Sequence, residues 1–402
     1  MSILNNRRIV LGVCGSIAAY KVAELARRLT QGGAQVDVIM TEAAQQLVGK
    51  ATFQALTGRP VFDDMWSLPE HHMVEHIALA VQAHMVVIAP ATANTLARIA
   101  TGMCDDLLTT TVLATTAPVL CVPAMNVQMY AAAATQENIA ILRGRGFSVL
   151  EPEEGPMAEP MVGKGRLPEP ETIEGEIRSL LGKHHGALRG RRVVVTAGAT
   201  REPIDPIRFI SNRSSGMMGY ALATAARDMG ADVTLISGPT SLKTPSAMTF
   251  VPVETALEMR DAVEAACSQA HILIMNAAVA DFRPESVHDQ KIKKNGTDGL
   301  TLNLVRNPDI LGELAYRHNL FKVGFAAETE NMLENAQDKL ERKELHMIVA
   351  NHAVATMAQS MIQVTLIDRN GATTSLPQQS KQQTAIAILD AIVTRLSPYI
   401  ST

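Results

Sequence analysis

Long hydrophobic runs, cysteine clusters and an excess of one charge are all missing from this chain of 402 residues. The four cysteines are widely spaced and match neither a metal-binding CxxC pair nor a disulfide scaffold, which favours a reducing cytoplasm. A formal net charge of -4 gives no overall attraction to nucleic acid. No apolar run approaches the roughly 20 residues that span a bilayer, and residues 9–13 are too few for a signal-peptide core. The sequence therefore predicts a cytoplasmic protein with neither nucleic acid nor a membrane as a partner.

The composition and the patterning of the chain predict a folded protein with two hydrophobic cores. Hydrophobic residues make up 47% and charged residues 19%, a composition too apolar for disorder. One core rarely organises so long a chain, and β-branched runs alternate with amphipathic helical patterns from residue 8 and again from residue 192. The sequence predicts an α/β fold of two tandem doubly wound, Rossmann-like domains at residues 1–182 and 192–402, with a basic linker at 183–191. The similar stretches 33–39 and 230–236 indicate either duplication or convergence on a common βαβ unit.

Short β-branched runs predict the strands of each sheet. They lie near residues 8–13, 35–40, 85–89, 119–122 and 147–150 in the first domain, and near 192–196, 271–276, 322–326 and 347–350 in the second. Asn370 and Gly371 predict a tight hairpin turn before a closing helix at 379–396. Residues 151–170 carry five prolines and three glycines, which predicts a long exposed loop. That loop is either a substrate lid or a surface connection.

Small and polar residues follow several predicted strands of the first domain. A glycine turn between the first strand and its helix permits close backbone approach, and the helix N-terminus offers N–H groups to an anion. The full dinucleotide glycine fingerprint is missing, which favours a mononucleotide over NAD. Ligands of open α/β sheets bind at the carboxyl ends of the strands. The candidate binding residues at these strand ends are Gly12, Gly15, Ser16, Thr41, Thr92 and Asn94.

Residues 123–130 carry a proline, a Met-Asn pair and a second methionine followed by an aromatic residue. Together with segments 12–21 and 90–94, in this order, the motif resembles the flavin-dependent cysteine decarboxylases. The resemblance implies FMN as the cofactor, Asn126 as the residue that binds the departing carboxylate and His76 as the catalytic base. Without it, Asn126 would be a turn residue and His76 a helix-surface histidine. Decarboxylation of a cysteine leaves an electron pair without a sink, and oxidation of the thiol to a thioaldehyde supplies one.

One position departs from the pattern of the decarboxylases that serve coenzyme A synthesis. Those enzymes usually have a cysteine that protonates the enethiol intermediate, shortly before a glycine-rich run that ends in arginine. Here the run is 157–166, and Glu159 stands at the cysteine position. Its carboxyl can act as the acid if closure of the lid raises its pKa. Otherwise the final reduction is impaired or another donor serves, and both alternatives remain open.

The second domain opens with a glycine turn at 196–205 and a Ser-Ser-Gly helix start at 214–216, which predict a triphosphate cradle. With segments 276–282, 291–294, 307–310 and 324–329, these resemble phosphopantothenate-cysteine ligase of bacterial type. The resemblance implies that CTP, accompanied by Mg²⁺, converts a carboxylate into an acyl cytidylate, which the cysteine amine attacks with release of CMP. Asn212 would stabilise the acyl cytidylate, and Lys291 would offset negative charge on the phosphates and the carboxylate. The implied nucleotide-binding residues are Met275, Asn276, Ala277, Asp281, Lys291, Pro308, Asp309, Ile310, Leu311, Phe325, Lys339 and Lys343.

Together the two halves resemble the bifunctional enzymes of coenzyme A biosynthesis over nearly the whole chain. The resemblance implies 4'-phosphopantothenate, cysteine and CTP as substrates, and 4'-phosphopantetheine as the product of the following decarboxylation. It also implies a homo-oligomer, in which trimeric decarboxylase domains form a larger shell with active sites between subunits, and ligase domains pair as dimers. Two alternatives are a regulatory flavoprotein domain without activity, suggested by Glu159, and a peptide cysteine decarboxylase, which the attached ligase domain argues against.

Overall fold

The computed structural model describes residues 2–66, 74–158, 160–293, 300–328, 332–352 and 361–396. Glu159 therefore lies outside the described residues. The chain divides into two compact units, Met1–Leu181 and Gly182–Thr402. In the described part of the chain, every helix is too short or too polar to cross a bilayer.

The first unit alternates strands and helices along the chain. Its elements are β1 (Arg8–Val13), α1 (Ala19–Gln31), β2 (Gln35–Met40), α2 (Glu42–Gln45), α3 (Lys50–Thr57), β3 (Val61–Phe62), α4 (Glu75–Gln82), β4 (Met85–Ala91), α5 (Ala93–Thr101), α6 (Leu107–Ala114), β5 (Val119–Pro123), α7 (Val127–Ala131), α8 (Ala133–Gly144), β6 (Ser148–Val149), β7 (Glu153–Pro156), β8 (Val162–Arg166) and α9 (Pro170–His185).

A parallel sheet in the order β3-β2-β1-β4-β5-β6 organises this unit. Side chains of β1 alternate between its two faces, so that Ile9 and Leu11 join one hydrophobic cluster and Val10 joins another. The first cluster includes residues of α1, α3 and α9, and the second includes residues of α4, α5, α6 and α8. The strand order reverses between β1 and β4, which is the point where ligands bind in doubly wound folds.

One carboxylate is buried inside this sheet. Asp37 of β2 has a fully buried side chain, and the guanidinium groups of Arg8 and Arg59 both pair with it. Arg8 begins β1 and Arg59 follows α3, so the two ion pairs join three segments of the chain. A buried charge is tolerated only when it is paired in this way, and loss of the partner or the charge is costly.

The second unit has a similar alternation with added antiparallel strands. Its elements are β9 (Arg192–Ala197), β10 (Arg201–Pro203), β11 (Phe209–Ser211), α10 (Met217–Asp228), β12 (Asp232–Ser237), β13 (Thr249–Pro252), α11 (Ala256–Cys267), β14 (Ile272–Met275), β15 (Phe282–Pro284), β16 (Leu304–Arg306), α12 (Ile310–Glu313), β17 (Phe321–Glu328), α13 (Met332–Arg342), β18 (Met347–His352), β19 (Met361–Ile362), β20 (Thr365–Asp368), β21 (Thr373–Ser375), β22 (Gln379–Ser380) and α14 (Lys381–Leu396).

The main sheet of the second unit has the order β13-β12-β9-β14-β17-β18-β20-β21, in which β20 and β21 are antiparallel additions at one edge. The predicted turn at Gly371 joins these two strands, and its φ of 79° lies in the left-handed region. Among the described residues, the short antiparallel pairs β10–β11, β15–β16 and β19–β22 are separate from the main sheet. The two units confirm the predicted fold class of two tandem Rossmann-like α/β domains.

Two predicted segments differ from the structure. The proline-rich stretch 151–170, predicted as a loop, contains the antiparallel hairpin β7–β8. Of the predicted linker 183–191, the first three residues belong to α9, and Leu188 is fully buried in the core of the second unit. The basic composition of this stretch predicted a linker, although the side chain of Leu188 packs into the core of the second unit.

Candidate functional site

The first unit contains a cavity of about 1320 Å³ at the carboxyl ends of its central strands. Of the predicted residues in this unit, Gly15, Ser16, Thr41, Thr92, Asn94 and Asn126 line it. Gly12 does not, although a Cβ at this position would lie 2.5 Å from Leu108 Cδ1. Leu108 does line the cavity, so Gly12 makes room for a residue of the wall rather than for the ligand itself.

Helix N-termini form part of the polar wall of this cavity. Ala18, the residue before α1, provides no side-chain cap, and residues 16–18 line the cavity. Thr41 and Thr92 cap α2 and α5, and each hydroxyl accepts a backbone N–H at 3.3 Å. N–H groups at a helix N-terminus carry partial positive charge, so this wall suits an anionic group such as a phosphate.

Asn126 precedes α7 and is fixed by its neighbours. Its Oδ1 accepts the N–H of Gln128 at 2.9 Å, and its Nδ2 lies 3.6 Å from Met161 Sδ. The hairpin β7–β8 approaches this segment closely, since the N–H of Met125 donates to the carbonyl of Gly165 at 3.0 Å. A Cβ at Gly165 would lie 2.3 Å from Met125 O, so only glycine permits the contact.

Three cationic residues that line the same cavity were not predicted, namely Lys21, Arg98 and Arg166. Lys21 Nζ lies 3.0 Å from Glu169 Oε1, and Arg166 lies 2.5 Å from the same oxygen. Lys21 and Arg166 both line the cavity. The hydrogen bond from Lys21 holds the pKa of Glu169 below its usual value despite partial burial. Lys21 follows the glycine turn by one helical turn. This spacing is the local signal that its side chain faces the cavity.

His76 does not line the cavity that contains Asn126. It lies in α4, half-buried, and its Nδ1 is buried without a hydrogen-bond partner among the described residues. The same helix exposes Val81, whose exposed fraction is 69%, and Ile77. Of the predicted catalytic residues of this unit, the cavity lining therefore includes Asn126 but not His76.

A carboxylate outside the cavity fastens the hairpin. Burial alone would raise the pKa of Glu151, but hydrogen bonds from Lys164, Tyr130 and Arg143 lower it to about 2. Burial and the neighbouring carboxylate raise the pKa of Tyr130 to about 12. Lys164 belongs to β8 and Tyr130 to α7, so Glu151 connects the hairpin with the helix that follows Asn126.

The second unit has a cavity of about 470 Å³ at the carboxyl ends of β14 and β17. Asp309 and Lys343 form an ion pair of 2.8 Å at this cavity, and Lys339 Nζ donates to the carbonyl of Phe325 at 2.7 Å. Burial opposes ionisation of Asp309, but Lys343 holds the pKa of Asp309 below its usual value. The predicted residues that line the cavity are Met275, Ala277, Asp281, Pro308, Asp309, Ile310, Leu311, Phe325, Lys339 and Lys343.

Arg306 and Arg342 also line this second cavity, and neither was predicted from the sequence. Four cationic side chains therefore face two acidic ones there, Asp281 and Asp309. An excess of positive charge in a cleft attracts a polyanion such as a nucleotide triphosphate. Arg342 neighbours Lys343 in sequence, so the basic face of α13 offered a signal.

Three predicted residues of the ligase-like half lie outside the cavity lining. Asn276 lies beside it, and its backbone N–H donates to Thr196 Oγ1 at 3.0 Å. Asn212 is exposed and donates its amide to the carbonyl of Val279 at 3.1 Å. Lys291 is exposed on the segment after β15.

The predicted triphosphate cradle also lies next to this cavity rather than in its wall. Its two glycine turns are adjacent, because a Cβ at Gly216 would lie 3.3 Å from the N atom of Gly198. The carbonyl of Gly198 accepts the N–H of Ala278 at 2.8 Å, which connects the cradle to the loop after β14. Among the described residues, no group of three His, Cys, Asp or Glu side chains is arranged to hold a metal ion.

Comparison with known proteins agrees with the division of the chain into two units. The flavoprotein family model matches residues 2–182, and the model of the DNA/pantothenate metabolism flavoprotein C-terminal domain matches residues 188–396. The coenzyme A biosynthesis bifunctional protein CoaBC of Vibrio cholerae is 46% identical over 399 residues, which cover 98% of this chain and 99% of that protein. The CoaBC protein of Bacillus subtilis is 46% identical over 395 residues, which cover 97% of each chain. A crystal structure of the C-terminal domain of a CoaBC protein is 40% identical and covers 53% of this chain and 100% of that one, with a TM-score of 0.47. The chain belongs to the family of bifunctional coenzyme A biosynthesis enzymes, in which a flavoprotein decarboxylase domain precedes a ligase domain.

Proposed function

We propose that this chain catalyses two consecutive reactions, one in each domain. Residues 192–402 ligate 4'-phosphopantothenate with cysteine, and residues 1–182 decarboxylate the resulting phosphopantothenoylcysteine to 4'-phosphopantetheine. The observation that carries the proposal is the pair of cavities, one lined by helix N-termini and Asn126 and the other by four cationic side chains. Each cavity collects residues whose roles the family resemblance implies, in separate units of the chain. A cytoplasmic location is part of the proposal.

The ligase reaction needs an activated carboxylate, because a free carboxylate is a poor electrophile. The carboxylate attacks the α-phosphate of CTP and displaces pyrophosphate, which gives the acyl cytidylate, and Mg²⁺ would accompany the phosphates. The cavity cations Arg306, Lys339 and Arg342 suit the triphosphate, while Asp281 suits the nucleoside. Asn212 and Lys291 stabilise the acyl cytidylate and its developing charge. The cysteine amine then attacks the acyl carbon and displaces CMP.

The first cavity has the properties that FMN requires. Its volume exceeds that of an ordinary small-molecule site, its helix N-termini suit the phosphate, and Met40, Leu108 and Trp66 offer apolar surface to a ring system. When bound, FMN supplies the oxidation of the substrate thiol that creates an electron sink, and afterwards the electrons for the final reduction. The residues proposed to hold it are Gly15, Ser16, Thr41, Thr92 and Asn94, while Gly12 makes room for Leu108 in the cavity wall.

Residues of this chain orient the substrate for loss of carbon dioxide. Asn126 holds the substrate carboxylate through its amide N–H, which in the structure faces Met161. His76 acts as the base that removes a proton from the substrate. Lys21 and Arg166 are the cationic residues of the cavity that suit the substrate phosphate.

A homo-oligomer with active sites between subunits accounts for the position of His76. Its ring lies outside the cavity of its own chain, and α4 exposes Val74, Ile77 and Val81 along one face. Leu113 of the neighbouring helix α6 is exposed as well. Exposed apolar side chains grouped in this way mark a contact surface, and a trimer of decarboxylase domains would cover them. Dimers of ligase domains complete the proposed assembly.

A second candidate function is an active ligase joined to an impaired or regulatory flavoprotein domain. The observation that favours it is Glu159 at the position of the usual cysteine. The two candidates differ in one product, since the impaired enzyme forms phosphopantothenoylcysteine and CMP but no 4'-phosphopantetheine.

Trp66 offers a direct test of the cofactor. It is the only tryptophan of the chain and it lines the first cavity with an exposed fraction of 82%. Flavin absorption overlaps tryptophan emission, so titration of the cofactor-free protein with FMN is expected to quench Trp66. The Trp66→Phe variant controls for emission from other sources. A chain that neither binds FMN nor is quenched by it would refute the cofactor assignment.

The identity of the nucleotide is tested by comparing CMP release in the presence of CTP with AMP release in the presence of ATP.

A further inference from the structure

The carboxylate of Asp205 is the hub of a hydrogen-bond network in the second unit. Its side chain is fully buried, although the loop between β10 and β11 that carries it lies outside the main sheet. Oδ1 accepts the backbone N–H groups of Ile207 and Arg208, both at 2.9 Å. Oδ2 accepts Arg208 Nε at 2.9 Å and the backbone N–H of Ile292 at 3.2 Å. One carboxylate thus joins two segments that are 87 positions apart in sequence.

Ile292 is held at both of its backbone polar groups. Its N–H donates to Asp205, and its carbonyl accepts Arg208 Nη2 at 2.8 Å. Four residues earlier, the N–H of His288 donates to the carbonyl of Ile204 at 3.0 Å. Residues 288–292 therefore run along the loop 204–208, and Lys291 lies between these two attachments.

The network depends on the negative charge of Asp205. Burial alone would raise the pKa of this carboxyl, but Arg208 and three backbone N–H groups hold the pKa well below its usual range. The group is therefore ionised at neutral pH. An asparagine at this position would replace one acceptor oxygen with a donor, which cannot accept from both Arg208 and Ile292.

We propose that Asp205 is a positioning residue for Lys291. The inference rests on the proposed ligase function, in which Lys291 offsets charge on the phosphates and the reacting carboxylate. Lys291 is exposed and its side chain is long, so its ammonium group reaches the reacting atoms reproducibly only if its backbone is fixed. Asp205 fixes that backbone through the next residue, directly at the N–H of Ile292 and through Arg208 at its carbonyl.

The test is a double-mutant cycle on the full chain, measured as CMP release from CTP, 4'-phosphopantothenate and cysteine. Asp205→Asn is expected to lower kcat by about 10- to 100-fold with little change in KM for CTP, because misplacement of a catalytic group affects the reacting state. Lys291→Gln lowers kcat further. The double variant is expected to be no slower than Lys291→Gln alone, since Asp205 acts through Lys291. Asp205→Glu, which keeps the charge, recovers part of the activity.

Asp368→Asn is the matched control. Asp368 ends β20 and, like Asp205, binds an arginine and two backbone N–H groups. It accepts Arg395 Nε and the N–H groups of Asn370 and Ala372, each at 3.0 Å. None of these partners belongs to residues 288–292. The variant is expected to keep kcat within about twofold of the unaltered chain. An equal loss in Asp368→Asn would overturn the inference, since the effect would then come from general loosening of the second unit.

The remaining outcomes separate this inference from the proposed function. If Lys291→Gln retains full activity, the role proposed for Lys291 fails and the inference falls with it. If Lys291→Gln is slow but Asp205→Asn slows it further by the same factor as in the unaltered chain, only the positioning role is overturned. Should Asp205→Asn lose its cooperative thermal transition, Arg208→Lys replaces it in the same cycle, because lysine cannot keep both bonds of the guanidinium.

Discussion

The phenol of Tyr130 donates a hydrogen bond of 2.6 Å to the carboxylate of Glu151, which also pairs with Lys164 at 2.5 Å. Tyr130 is the aromatic residue of the motif that contains Asn126, and Lys164 belongs to the hairpin that approaches Asn126. The contact therefore fixes the position of the hairpin relative to the residue proposed to bind the substrate carboxylate. Glu159, the candidate proton donor, lies between the two hairpin strands in sequence. Loss of this contact is therefore expected to affect proton donation as well.

Replacement of Glu151 by Gln is expected to loosen the hairpin. The variant loses both ion pairs and should speed tryptic cleavage after Lys164 by roughly fivefold, because exposed ion pairs contribute modestly. Glu154→Gln, an exposed change on β7, should leave the rate unaltered. The pKa of Glu151 is lowered from 4.5 to about 2, so in the unaltered chain the attachment is complete at neutral pH and is lost as pH falls between these values. Equal cleavage rates for the Glu151→Gln variant and the unaltered chain would contradict the anchoring role.

Glu159→Gln tests the proton donor. Decarboxylation relies on His76, Asn126 and the cofactor. The final reduction needs, in addition, an acid that protonates the enethiol intermediate. In a single turnover the variant is therefore expected to release one carbon dioxide per FMN at a normal rate. The flavin then stays reduced, and the oxidised enethiol is detected by mass spectrometry. Glu154→Gln again serves as the control on the same hairpin. Accumulation of the enethiol by the unaltered chain, or normal product from Glu159→Gln, would exclude Glu159 as the donor.

The position of His76 predicts complementation between two inactive variants. In a cyclic trimer each site takes His76 from one copy and Asn126 from the next, so co-expressed His76→Asn and Asn126→Asp chains should regain about one quarter of the decarboxylase activity. Either variant co-expressed with a tagged copy of itself stays inactive. If both residues serve the same chain, the mixture also stays inactive, and the site between subunits is refuted.

Asp37 is expected to control the stability of the first unit. Asp37→Asn leaves Arg8 and Arg59 without their buried partner, a loss that typically costs about 3–5 kcal/mol and lowers the unfolding midpoint by roughly 10 °C. Calorimetry follows this transition, and the shift of its midpoint on addition of FMN identifies the first unit. The exposed pair of Glu24 with Arg27 provides the control, and Glu24→Gln should leave the midpoint nearly unchanged. A similar midpoint for the two variants would show that the buried pairs do not carry this stability.

Local patterns of the sequence were sufficient for the strands and for much of the first cavity. The β-branched runs around Val10 and Val194 form central strands, because strands of a parallel sheet are buried on both faces. Ser16, Thr92 and Asn126 follow separate strands and line one cavity, since the carboxyl ends of parallel strands meet at one edge.

Features that depend on distant contacts did not appear in the sequence. The hairpin β7–β8 was missed because prolines and glycines between residues 151 and 170 weaken any strand pattern. Arg306 belongs to β16 and joins the cationic residues of α13 only across the second cavity. The bond from Ile292 to Asp205 likewise joins a basic loop to a remote hairpin, and no local spacing indicates it.

The most direct test of the bifunctional assignment is mass spectrometry of the products formed from 4'-phosphopantothenate, cysteine, CTP and Mg²⁺ by the purified chain loaded with FMN. We expect 4'-phosphopantetheine, with one CMP and one carbon dioxide for each molecule formed. Omission of cysteine should abolish the formation of 4'-phosphopantetheine, CMP and carbon dioxide. Formation of phosphopantothenoylcysteine and CMP without 4'-phosphopantetheine would contradict the decarboxylase assignment, and absence of CMP would contradict the ligase assignment.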